Sequence, residues 1–244
     1  MQHLFAAFTP ADWSAIRLSL DVTLRALIFI AGPGVFFGWL LARFRFPGRM
    51  LLSAILHVPL VLPPVVLGYI LLVAFSPNAA GGWLRDAGLP LAFHRNGAAL
   101  AAAIMGFPLL LRASRIGFET ADPRYYEAAR TLGASPWRAF RTVTLPAALP
   151  GIFSGLVLAG GRSFGEFGAT ITFAANIPEE TRTLPLAIFS ALQLPGGDFA
   201  AFRLVVISLI LSVAALMFAE VLARRMRRRN FHENDRGAEG DGHV

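Results

Sequence analysis

Few side chains in this 244-residue chain could do chemistry, and their spacing limits what that chemistry can be. Arg162 and Glu166 stand one helical turn apart inside a glycine-rich apolar run, with Ser163 beside them. Opposite charges at i and i+4 meet on a helix, and charges at membrane depth turn toward the bundle interior or a cavity. Two roles stay open for the pair: a structural ion pair, or part of the lining of an anion's path. Pro59, Pro63 and Pro64 interrupt a second apolar run, residues 51–75. Such a break is tolerated where neighbouring protein or a water-lined cavity satisfies the freed backbone groups, which suits a packing kink as well as a substrate pathway. His57 in that run reads as an interfacial or internally satisfied polar residue. These groups can bind and release, but they do not form bonds. The sequence has no GxxxxGK[ST] loop, no Ser/His/Asp set and no cluster of metal ligands, and without cysteine it has neither thiolates nor disulfides. We therefore expect a non-enzymatic transport component that needs no cofactor.

A different chemistry, that of a contact surface, is written in residues 122–146, DPRYYEAARTLGASPWRAFRTVTLP. Asp122 before Pro123 is a helix start, because a carboxylate caps free N–H groups and proline has none to lose at the first position. Gly133 suits the left-handed end of that helix. Ser135-Pro136 repeats the start signal, and Pro146 is expected to end the second helix. Tyr125, Ala128, Ala129 and Leu132 share one face, flanked by Glu127 and Arg130. Two alanines where bulkier residues could stand let another surface come close.

The elements that must hold these residues are membrane spans. The chain is 55% hydrophobic with mean hydropathy +0.58, and the apolar residues fall in long blocks that belong to a bilayer. We expect an all-α integral membrane protein with five spans, near residues 20–42, 51–75, 97–115, 147–173 and 202–223. Residues 184–194 would extend only ~16 Å as a helix, too short to cross, so they form an interfacial helix. The first helix should run from Ser14, with a cap at Asp12 and a kink at Gly32-Pro33-Gly34. Its outer stripe, Arg17, Asp21 and Arg25, suits helix pairing or headgroup contact, and less readily substrate contact. The chain divides into a transmembrane domain, residues 1–229, and a polar tail, residues 230–244, expected to be disordered.

The formal charge of +7 comes from arginine alone, since there is no lysine. Most arginines lie in short loops beside apolar blocks, which is an orientation signal and argues against nucleic-acid binding. Arginine is dense in the first–second loop, in residues 122–146 and after residue 223. That places the N-terminus outside and the C-terminus in the cytoplasm of a multi-pass inner-membrane protein.

Glu127-Ala128-Ala129, three residues, Gly133, nine residues, Val143, one residue, Leu145-Pro146 resembles the EAA loop of binding-protein-dependent ABC importer permeases, with valine where that pattern usually has isoleucine. The resemblance implies a type I ABC importer permease fold. It also implies an ATPase-coupling role for Glu127, Ala128, Ala129, Arg130, Gly133, Leu145 and Pro146. The implied assembly is a homodimer of permeases with an ABC ATPase dimer and a solute-binding protein, surrounded by membrane lipid. Residues 57–72, 162–189 and the EAA stretch are similar to molybdate-importer permeases along almost the whole chain. GEFGATITF and NIPEETRTLP favour molybdate over sulfate. Tungstate, alike in charge and size, stays an alternative, as does a sulfate/thiosulfate permease. A non-transporting scaffold or channel is the alternative of another class. The expected path for the oxyanion passes Pro63, Pro64, Arg162, Ser163 and Glu166, without a fixed cage of arginines. Removing Glu166 alone is expected to harm more than removing both charges.

Overall fold

The computed structural model describes residues 9–76 and 79–239, with side chains to residue 221. Among the described residues every regular element is a helix: α1 Pro10–Arg43, α2 Arg49–Val61, α3 Pro64–Ala74, α4 Ala80–Asp86, α5 Arg95–Thr120, α6 Pro123–Thr131, α7 Pro136–Ala139, a π turn Phe140–Thr144, α8 Leu145–Phe164, α9 Gly168–Phe173, α10 Leu184–Leu192 and α11 Asp198–Glu239. Four stretches are long and apolar enough to cross a membrane: α1, α5, Pro136–Phe164 and Asp198–Val221. Counting the bent pair α2–α3 as one span makes five. At ~1.5 Å per residue, α10 is about 14 Å long, well short of a ~30 Å hydrocarbon core.

Helix α1 starts earlier than the sequence suggests. Thr9 is the cap: its Oγ1 accepts from the Asp12 N–H at 3.3 Å, while the Asp12 carboxylate accepts from the Thr9 N–H at 2.9 Å. The helix continues through Pro33 without a break. Gly34 serves contact there, since a Cβ would lie 2.6 Å from Leu110 Cδ2 of α5. Arg25 of the outer stripe donates to Asp21 at 2.8 Å and to Asn96 at 3.2 Å, so the stripe pairs helices.

The second span does break at its prolines, and sharply: α2 and α3 meet at 111°. A residue before proline is pushed into extended conformation. Leu62 and Pro63 both precede one, with ψ of 136° and 132°, and two extended residues in succession turn the chain. The fourth span differs from its expected 147–173 limits. It begins before them, at Pro136, and stops at Phe164, after which α9 is a separate short helix. Helix α4 lies in what reads as a loop. Helix α5 reaches beyond both expected ends of the third span, and α11 continues past Arg229, where the unstructured tail was expected. Residues 240–244 lie outside the described residues.

Helix α5 is the centre. Two thirds (67%) of its apolar window is buried, against 11% for α11. Its small residues make this possible: Ala98, Ala99, Ala101, Ala102 and Ala103 are buried against α1, α8 and α9. Where α5 crosses α8, Gly117 meets Gly151, and a Cβ on Gly151 would fall 2.7 Å from the Gly117 Cα. Such small-residue contacts hold membrane helices together by close packing where lipid removes the hydrophobic drive.

Candidate coupling and transport sites

The 122–146 stretch folds as a capped helix, a tight turn and a second helix that runs on into α8. The Asp122 carboxylate accepts from the Arg124 N–H at 2.9 Å. At the other end Gly133 has φ +87°, the left-handed conformation glycine adopts cheaply. Its N–H donates to Arg130 O and that of Ala134 to Ala129 O, the two bonds of a Schellman cap. Arg130 Nη1 adds a bond to Ala134 O at 2.6 Å, closing the turn from outside. Ser135 Oγ accepts from the Arg138 N–H and starts α7.

Pro146 does not end this second helix. The Leu145 N–H reaches back to Phe140 O, an i→i+5 bond, through a π turn that leads directly into α8. Pro146 then sits in the first turn of α8, where its missing N–H is tolerated. Leu145 packs with Phe118, Ala148 and Ile152. The stretch is therefore mechanically continuous with the fourth span.

On α6 the shared face is uncovered: Tyr125, Ala128 and Leu132 are exposed and Ala129 is half-buried. Leu132 is 88% exposed, at the end of a helix that packs chiefly against α7 and the π turn. Glu127 stands at the edge of a cavity of about 1070 Å³ that α6 shares with α1 and Trp39, Trp137 and Phe140. Phe140 anchors the stretch to the bundle, its ring 5.4 Å from Trp39 of α1 and 6.3 Å from Phe118 of α5. Arg43 at the end of α1 donates to Ala121 O just before the capped start. Sequence reasoning missed Phe140, Trp39, Phe118 and Arg43, because contacts between distant segments leave no spacing signal.

Arg162 and Glu166 are paired at 2.5 Å, but burial divides them unequally: the side chains are 30% and 1% exposed. The second Glu166 oxygen accepts from the Ala169 N–H at 2.9 Å, so this carboxylate also starts α9. Ser163 is buried and donates to Ala102 O of α5 at 3.0 Å, which commits its hydroxyl to helix packing. The Pro63-Pro64 break lies beside the Glu166 break. A Cβ on Gly168 would be 2.8 Å from Pro64 Cβ, and one on Gly68 of α3 would be 2.7 Å from Ala169 O. The two interrupted spans thus touch at their interruptions, with Ser163 turned aside.

At the opposite end of the bundle, Glu180 receives Arg95 Nη2 at 2.9 Å and lies 3.2 Å from His94 Nε2. The Arg95 hydrogen bond, outweighing the opposing effect of burial, holds the Glu180 carboxyl below its ordinary range. Asp12 and Arg203 form a further buried pair at 2.7 Å, joining the start of α1 to that of α11.

Residues 34–228 match the family of binding-protein-dependent transport system inner membrane components. The chain belongs to this family. Among curated permeases of the family, the molybdenum transport system permease protein ModB of Escherichia coli K12 is 52% identical over 91% of this chain and 97% of its own length. ModB of Haemophilus influenzae is 47% identical over 88% and 95%. The sulfate transport system permease protein CysT of Escherichia coli K12 is 37% identical over 90% and 79%. A solved bacterial ABC transporter that imports the acidic polysaccharide alginate superposes with TM-score 0.67 at 19% identity, over 89% of this chain and 80% of its own. The MetNI methionine ABC transporter in an inward-facing conformation gives 0.65 at 15%, over 88% and 94%. The fold is that of ABC importer permeases. The protein is a multi-pass transport subunit, not an enzyme.

Proposed function

We propose that this permease moves molybdate into the cell as a homodimer, taking it from a solute-binding protein outside and driven by an ABC ATPase dimer in the cytoplasm. The observation that carries this reading is the exposed Tyr125–Ala128–Leu132 face on a helix capped at both ends, joined by one tight turn to a second helix that runs on through the π turn into α8. A movement imposed on α6 by a nucleotide-driven partner would pass through the π turn to the fourth span, where the two breaks meet. In this reading the N-terminus lies outside and the C-terminus in the cytoplasm, an orientation that the arginine distribution supports. Molybdate is favoured over sulfate by higher identity to the two ModB proteins than to CysT, and tungstate shares its charge and shape.

ATP-driven uptake of labelled molybdate by the reconstituted complex tests the proposal. Uptake should be competed by tungstate and little affected by equimolar sulfate. Gly133→Ala, which forces alanine into the left-handed region at a cost of about 1 kcal/mol, should assemble with the ATPase yet lose most uptake. Sulfate uptake without molybdate uptake, or full uptake by Gly133→Ala, would refute the corresponding part.

A further inference from the structure

At the end of the bundle that carries the 122–146 stretch, α2 and the C-terminal half of α5 border an open cavity of about 730 Å³. Its polar lining comprises Arg49, Ser53, His57, Arg112, Arg115 and Glu119. Arg115 Nε donates to Glu119 at 2.7 Å, so one guanidinium is already neutralised. Arg49 gives one N–H to Leu41 O, a neutral acceptor that leaves its charge uncompensated. Arg112 is exposed and makes no hydrogen bond or ion pair among the described residues. His57 Nδ1 donates to Ser53 O at 2.7 Å, which keeps the imidazole in the cavity wall. The three guanidiniums and one carboxylate leave two positive charges facing one hollow.

Arginines at the cytoplasmic ends of spans often do no more than orient the protein. These three differ in converging on a cavity, and in the wall they converge through: α2 has no buried residue, so in an isolated chain this side of the cavity is only loosely closed. Guanidinium forks match the oxygen spacing of a tetrahedral oxyanion.

We propose that this cavity is the exit-side station of the transported dianion, held by Arg49, Arg112 and Arg115 before release to the cytoplasm. The proposal rests on the oxyanion-permease reading above. The charge balance matches that of the anion in magnitude, while the exposure of Arg112 and the partial exposure of Arg115 screen the attraction. A station of this kind attracts without trapping, as conduction demands. It is an open cluster, unlike a closed arginine cage.

A lipid phosphate offers the same oxygens, so the test must separate the two sources. Cryo-EM maps of the permease–ATPase complex in pure phosphatidylcholine nanodiscs, with and without millimolar tungstate, should show compact density against Arg112 only with tungstate. Arg112→Ala should assemble, lose that density and reduce molybdate uptake about tenfold, the loss expected for one charge-assisted hydrogen bond. Arg112→Lys should recover part of the uptake. Density independent of tungstate, or appearing only when phosphatidylglycerol is added, would make this a headgroup site and overturn the proposal. An empty cavity beside normal wild-type uptake overturns the station alone. An empty cavity with no wild-type uptake overturns both the station and the substrate reading.

Discussion

Glu166 carries two duties at one position, partner to Arg162 and starter of α9. From the sequence alone, Arg162 looks like the charge at risk when its partner is removed. Burial reverses that order, because Glu166 is the enclosed member while Arg162 keeps partial access to solvent. Breaking a buried pair by removing one partner costs about 3–5 kcal/mol when the remaining charge is enclosed. Arg162→Gln should therefore lower membrane abundance most, Glu166→Gln less, and the double variant should recover part of the Arg162→Gln loss. Quantitative immunoblots with uptake per molecule check this. Equal abundance of all three variants would remove the pair from the account. The i, i+4 spacing made the pair legible in the sequence. The second bond, to the Ala169 N–H, and the bond from Ser163 to Ala102, 61 residues away, were not, since each exists only once the helices are packed.

At the scale of elements, the signals that could be read were those with a local cause. Asp122-Pro123, Gly133 and Ser135-Pro136 act on neighbours within one turn, and both short helices form where they point. The prolines of the second span announced a break without its 111° angle. The π turn was illegible: Pro146 looks like a stop, and only the i→i+5 bond from Leu145 shows that the helix passes through it. The short α10 was legible from length alone. With α10 not crossing and α2–α3 counted as one span, reporter fusions after Pro90 and Ala200 should report the outside, and fusions after Arg138 and Arg229 the cytoplasm. A cytoplasmic signal at Ala200 would mean that α10 crosses, or that the whole orientation is inverted; the fusion at Pro90 separates these.

For the whole molecule, what is uncovered matters as much as what is packed. Met50, Leu51, Val58 and Val61 are exposed on α2, a face that lipid or a second copy of the chain would cover. At the coupling end, α6 leaves its small-residue face to water. This face is proposed to meet the ATPase. The natural chain has no cysteine, so a single introduced thiol reports on its own surroundings. Ala128→Cys, combined with cysteines scanned along the groove of the ATPase, should form a disulfide-linked permease–ATPase product under mild oxidation. Trp83→Cys on α4, at the other end of the bundle, should give none. An Ala128→Cys variant that assembles with the ATPase and transports, yet cross-links no more than Trp83→Cys, would contradict the account.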